Sequence, residues 1–141
     1  MKNKMTSILM ILMAAIILIG VIAFVVIMKF TDSQSSDGPS IDQMIKQSVE
    51  VPEITTNLAD DSLIRVSFMV ETDSKKAKEE LEKRDFQIKD IVIQELSETK
   101  PEQLNGKTGK AELENKLKTQ INQLMQKGKV ENIYTTSSIL Q

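Results

Sequence analysis

The chain has 141 residues with no cysteine, no histidine and no tryptophan. The first two absences exclude disulfides, thiolate metal sites, cysteine nucleophiles and the triads built on a histidine base, so chemistry near neutral pH is left to carboxylates, lysine, serine, threonine and Tyr134. All 20 acids lie after residue 29 with 15 of the 18 bases; that larger part carries a net charge of −5 and lacks the basic face that nucleic acid or anionic headgroups require.

Lys2 and Lys4 open the chain, and Ile8 to Met28 follow as 21 residues without a charge. A helix rises about 1.5 Å per residue, so this run spans about 31 Å, the thickness of a hydrocarbon core of about 30 Å. Its length, and the lack of a small-x-small site around Phe24 to Phe30, set it apart from a cleaved signal peptide. Two lysines precede it, whereas Lys29 is followed by Asp32 and Asp37, so residues 1–7 are expected in the cytoplasm and the bulk of the chain outside. With no ionisable group in the run, the helix is expected to anchor rather than to carry ions.

Thr31 to Ser40 is a polar tract without core-forming residues, and residues 29–50 are expected to act as a flexible tether. A short amphipathic helix is the alternative over its second half, where Ile41, Met44, Ile45 and Val49 repeat at helical spacing. Residues 51–141 are expected to form one small domain. Within it, Ile54 to Leu58 predicts a short strand, with a turn at Ala59 to Ser62. From Leu63 to Thr72, Ile64, Val66, Phe68 and Val70 alternate with Arg65, Ser67, Met69 and Glu71; this period of two predicts a strand paired with the first as a hairpin.

Asp73 or Ser74 can cap a helix over Lys75 to Arg84, with Ala77 and Leu81 inward and the acid-first pairs Glu79–Lys83 and Glu80–Arg84. Phe86, Ile88, Ile91, Val92 and Leu96 predict a second helix, a strand over Ile91 to Ile93 being the competing assignment. Thr99 to Glu102 has the form of a capping box opening a helical turn, and Asn105 to Gly109 reads as a loop. Leu113, Leu117, Ile121, Leu124 and Met125 form the apolar stripe of a helix over Lys110 to Lys127, stopped by Gly128. Val130 to Gln141, rich in β-branched residues, predicts a final strand. The fold class is therefore α+β: one N-terminal transmembrane helix, then a small mixed domain with a hairpin, several helices and a C-terminal strand.

No catalytic, cofactor-binding or metal-ligating residue emerges. Gly106-Lys107-Thr108 lacks the earlier glycine and the preceding hydrophobic strand of a phosphate loop, and reads as a structural loop. Asp60-Asp61 reads as turn chemistry, and Asp32 and Asp37 lie in the flexible tract. A serine–lysine dyad has no particular serine set beside a buried lysine. Lys75, Lys76 and Lys78 stand in a first helical turn, against the helix dipole; they are either screened by solvent or form a basic docking edge for an acidic partner.

The order of elements resembles the flagellar basal-body-associated FliL family over nearly the full length. The residues that carry the resemblance are Asn57-Leu58, Leu63 to Thr72, Ile88 to Ser97, Gly109 with Leu113 ahead of Ile121-Asn122, and the terminal Val130 to Gln141 strand. Thr135 to Ser138 is less aromatic than such a final strand leads one to expect. The resemblance implies a non-enzymatic single-pass protein of the cell (inner or plasma) membrane at the bacterial flagellum basal body. Its implied partners are the stator complex of the motor and the lipid bilayer, with no cofactor and no nucleic acid. It also implies a stomatin-like (SPFH-like) outer domain assembling as a homo-oligomeric ring, and a part in flagellar rotation, torque generation, swimming, swarming and chemotaxis. The rival reading is a membrane-anchored extracytoplasmic sensor or ligand-binding module, although Met1 to Ser7 is too short to hold a signalling domain.

Overall fold

The computed structural model describes residues 2–31 and 38–141 and divides the chain into two compact units, Met1–Gly38 and Pro39–Gln141. The first unit is helix α1, Lys2–Thr31, within which the span Asn3–Met28 has a mean hydropathy of 3.3 and no buried residue. A helix this long and apolar, with side chains such as Leu9, Ile16, Ile19 and Phe24 exposed all round, is a candidate membrane span: its hydrophobic surface has no protein partner within the described residues.

The second unit begins at Pro39. Ile41–Lys46 forms a short helix, α2, which is the alternative that the spacing of Ile41, Met44 and Ile45 offered to a tether there, while Val49 falls in the strand that follows. Its nucleus is a capping box: the Ser40 hydroxyl accepts the Gln43 N–H at 3.3 Å while the Gln43 side chain accepts the Ser40 N–H at 3.2 Å. Strand β1 then runs over Ser48–Asn57, six residues ahead of the short strand expected from Ile54. Pro52 is accommodated because β1 is an edge strand and Pro52 sits in a bulge between Val51 and Ile54, where no ladder N–H is needed.

Strand β2 (Leu63–Thr72) is the centre of a three-stranded antiparallel sheet of order β1-β2-β3, with β3 over Val130–Leu140. The hairpin register pairs Val51 with Phe68 and Ile54 with Val66; on the other side Ile133 pairs with Val70. The turn between β1 and β2 places Asp61 at φ 66°, a left-handed conformation that aspartate tolerates.

Three helices cover one face of the sheet: α3 (Lys75–Lys83), α4 (Asp85–Glu98) and α5 (Gly106–Leu124), with a 3-10 turn at Pro101–Leu104. Ser74 caps α3 by accepting the Ala77 N–H, and Ala77 and Leu81 point inward as their spacing requires. Ile88, Val92 and Leu96 of α4 meet Leu113, Leu117 and Ile121 of α5 over Ile64, Val66, Phe68 and Val70 in one core. Helix therefore prevails over strand for Ile91 to Ile93.

Three boundaries differ from expectation. The Thr99 hydroxyl donates to Glu95 O at 2.6 Å and closes α4; the following turn is held instead by the Gln103 side chain accepting the Lys100 N–H at 2.8 Å. Gly106 to Gly109 are not a loop but the first turn of α5. Two glycines disfavour helix there on propensity, yet Gly109 is buried so close to the Gln103 carbonyl and the Leu104 backbone that a side chain would collide with both. At the other end, α5 stops at Leu124 with Met125 extended, three residues before Lys127; Gly128, at φ +94°, belongs to the loop into β3.

Candidate functional site

The premature end of α5 is built around Glu80. Its carboxylate accepts the Gln126 N–H at 3.0 Å and the Lys127 N–H at 2.6 Å, while Arg84 donates to it through Nε at 2.9 Å and pairs with it at 2.8 Å. Partial burial pushes the Glu80 pKa up, but the Arg84 hydrogen bond and the two backbone N–H groups outweigh it and hold the carboxyl below its usual range. A second carboxylate repeats the device: Asp73 Oδ1 accepts the Lys129 N–H at 3.1 Å, and Gly128 lies against Asp73, Ser74 and Ala77 with no room for a Cβ. The loop into β3 is thus moulded on α3 by two acids.

Beside this latch lies an open groove of about 980 Å³ lined by residues of α3, the start of α4 and the 126–128 loop. Lys76, Lys83, Arg84 and Lys127 line it with Glu79 and Glu80, and so does Phe86, 71% exposed. Phe86 lies off the helical spacing of Ile88, Ile91, Val92 and Leu96; the core takes Ile88, Val92 and Leu96 and leaves Phe86 outside.

The opposite face of the sheet holds a second groove, of about 570 Å³, between α2 and the strands. Ile41, Met44 and Ile45 of α2 overlook Met69, Glu71 and Tyr134. Glu71 occupies the outward register of β2 but is buried to 4% exposure, accepting hydrogen bonds from Asn132 Nδ2 and the Tyr134 hydroxyl, both at 2.9 Å. Burial first, and then the hydrogen bond to the Glu71 carboxylate, raises the Tyr134 pKa. Thr72 fastens the same corner: its hydroxyl donates to Gln47 O at 2.6 Å and to Ser74 O at 3.0 Å. Sequence reasoning missed Glu71 because its burial depends on α2 and β3, distant in the chain; the helical spacing of Ile41, Met44 and Ile45 was the available signal.

Asp60 Oδ1 accepts both the Ser62 N–H at 3.0 Å and the Ser62 hydroxyl at 2.5 Å, an Asx turn, and the Ser62 hydroxyl and N–H lower its pKa. Asp32 and Asp37 lie outside the described residues. Lys78 donates to Lys46 O at 3.2 Å and faces Glu82 at 4.0 Å, while of Lys75, Lys76 and Lys78 only Lys76 lines the groove, together with Lys83 from the end of α3. Gly106-Lys107-Thr108 opens α5 without the strand-then-glycine context of a phosphate loop. Among the described residues no serine hydroxyl bonds a lysine ammonium, and no cluster of three or more acidic residues has metal-binding geometry.

Residues 48–141 match the family model described as flagellar basal body-associated protein FliL. The chain belongs to the FliL family. The match begins at the first residue of β1 and runs through the whole sheet and its helices. Among curated relatives, the flagellar protein FliL of Bacillus subtilis (strain 168) is 53% identical over 102 residues, covering 72% of this chain and 73% of the relative. The resemblance seen in Leu63 to Thr72 and Ile88 to Ser97 is thereby confirmed, and with it the flagellar, basal-body and motility assignment. The FliL domain here carries a candidate membrane helix N-terminal to it, consistent with a membrane location.

Proposed function

We propose that this FliL-family chain is a non-enzymatic, single-pass component of the flagellar basal body that associates with the motor stator and supports torque generation in swimming and swarming. The observation that carries the reading is the pairing of a FliL domain with one apolar helix of Asn3–Met28 that contains no charge after Lys4. Such a helix anchors, and it lacks the ionisable group an ion-carrying helix needs. Lys2 and Lys4 ahead of it favour a cytoplasmic N-terminus, with the Pro39–Gln141 unit outside the cell membrane. That unit acts as a recognition module of stomatin type that assembles with other copies around its partner.

The test is deletion of residues 39–141 with the anchor retained. Flagellar filaments should still form, while motor speed under load falls; an unchanged speed under load refutes the stator role. Cysteines introduced into the outer unit, which has no native thiol, should crosslink stator subunits in living cells, and capture of other envelope proteins alone would point to the sensor reading.

A further inference from the structure

The groove beside α3 is a reversal of sign on an acidic domain. The part of the chain after residue 29 carries a net charge of −5, yet Lys76, Lys83, Arg84 and Lys127 converge here against Glu79 and Glu80. Glu80 is already engaged by Arg84 and two backbone N–H groups, so its charge is spent within the fold. Lys76, Lys83 and Lys127 make no ion pair among the described residues. Three unpaired ammonium groups around one concavity repel one another, a cost that an acidic ligand would relieve. Phe86, 71% exposed, adds an aromatic surface to the same lining, and aromatic and arginine side chains are enriched at protein interfaces over the rest of the surface.

We propose that this groove is the docking site for an extended acidic segment of a partner protein, whose carboxylates meet Lys76, Lys83 and Lys127 while an adjacent apolar side chain packs on Phe86. Charge complementarity selects the acidic partner, and shape selects a peptide over a bilayer: the cations line a concavity, and an anionic membrane surface would repel the rest of this acidic domain. Glu79 in the lining disfavours segments without a gap in their negative charge. The inference does not depend on the stator reading, since it specifies the chemistry of the segment and not its owner.

The experiment uses the full chain in phosphatidylcholine nanodiscs and a fluorescein-labelled peptide of glutamates around a central Leu-Phe pair, read by anisotropy. The parent chain should bind, and the triple substitution K76E/K83E/K127E should weaken binding at least about tenfold, as expected of several close charge pairs. The same charge change at Lys100, Lys107 and Lys110, which do not line the groove, should weaken it less than about threefold, by long-range screening-sensitive repulsion alone. Phe86→Ala, at an exposed position that leaves the core intact, should cost about three- to tenfold and bring the Leu-Phe peptide to the affinity of an all-glutamate one. Absence of binding at millimolar peptide, equal losses in the two triple variants, or an unaltered affinity in Phe86→Ala overturns the proposal. So does binding to anionic vesicles that depends on the same three lysines and is not displaced by the peptide.

Discussion

Glu80→Ala tests whether the end of α5 is set by a carboxylate reaching it from α3. The Glu80 side chain is only 10% exposed and serves two backbone donors and one guanidinium. On truncation, the Gln126 and Lys127 N–H groups sit on exposed residues and regain water, so the penalty of orphaned donors is small. What is lost is the net gain of charge-assisted hydrogen bonds, about 1.5–3 kcal/mol, plus about 0.5–1 kcal/mol for the ion pair with Arg84, whose side chain is 21% exposed, together about 2–4 kcal/mol. In a unit of this size that lowers the thermal midpoint by about 8–16 °C, at the lower end of about 4 °C per kcal/mol. Far-UV circular dichroism melts of the full chain in detergent micelles read it. The pH dependence fixes the cause. Because the folded-state pKa of Glu80 lies below its ordinary value of about 4.3, its contribution is complete at neutral pH and is lost as pH falls through and below about 4. The stability gap between the parent and Glu80→Gln should therefore be widest near pH 7 and shrink on acidification. A Glu80→Ala midpoint within about 2 °C of the parent, or a gap as wide at pH 3 as at pH 7, refutes the latch.

Three further perturbations address the core, the close approach and the outer face. Leu117→Ala, at a fully buried site of α5, should cost about 2–5 kcal/mol, measured by the urea midpoint. Gly109→Ala forces a methyl against the Gln103 carbonyl and should cost about 1–3 kcal/mol in the same assay, although alanine is the better helix former. Tyr134→Phe leaves buried Glu71 with the Asn132 amide alone and should cost about 1–2 kcal/mol at neutral pH. With one tyrosine and no tryptophan in the chain, the alkaline ultraviolet absorbance change reports Tyr134 directly and should be centred above the ordinary value of about 10. Since that pKa is raised on folding, the stability it confers is present below about pH 10 and lost above it, and Tyr134→Phe should blunt that alkaline loss.

What could be read from the sequence was whatever local periodicity encodes. Ile64, Val66, Phe68 and Val70 alternate because β2 buries one face, and Leu113, Leu117 and Ile121 recur by fours because α5 lies flat on it. The apolar run ahead of Met28 is legible for the same reason: its solvent is uniform along its length. The misreadings all fall where a distant residue overrides local preference. Gly106 to Gly109 look like a loop until the 3-10 turn brings the Gln103 carbonyl against Gly109. The α5 stripe continues past Leu124 on paper, but Glu80, 46 and 47 residues away, captures the N–H groups that follow. Of the candidate surfaces, Lys75, Lys76 and Lys78 were visible as a cluster, but only Lys76 of them lines the groove, and its grouping with Lys83, Phe86 and Lys127 exists only after α4 and the β3 loop have docked.

Glu80 belongs to both the latch and the groove, and the two roles make opposite demands on its charge. For the fold, the carboxylate is favourable: it holds the 126–128 loop and pairs with Arg84. For an acidic ligand it is unfavourable, because it neutralises the Arg84 guanidinium of the groove lining and lowers the positive potential there. Glu80→Gln removes the charge while its amide oxygen can still accept one of the two backbone N–H groups, so the loop that carries Lys127 keeps a partial tie. The variant should consequently melt below the parent yet bind the glutamate-rich peptide about two- to fivefold more tightly, with a steeper salt dependence, as expected for one freed cation at close range. If binding and stability fall together, Glu80 acts on the groove only by shaping it, and the excess positive charge that the docking proposal relies on is not what recognises the peptide.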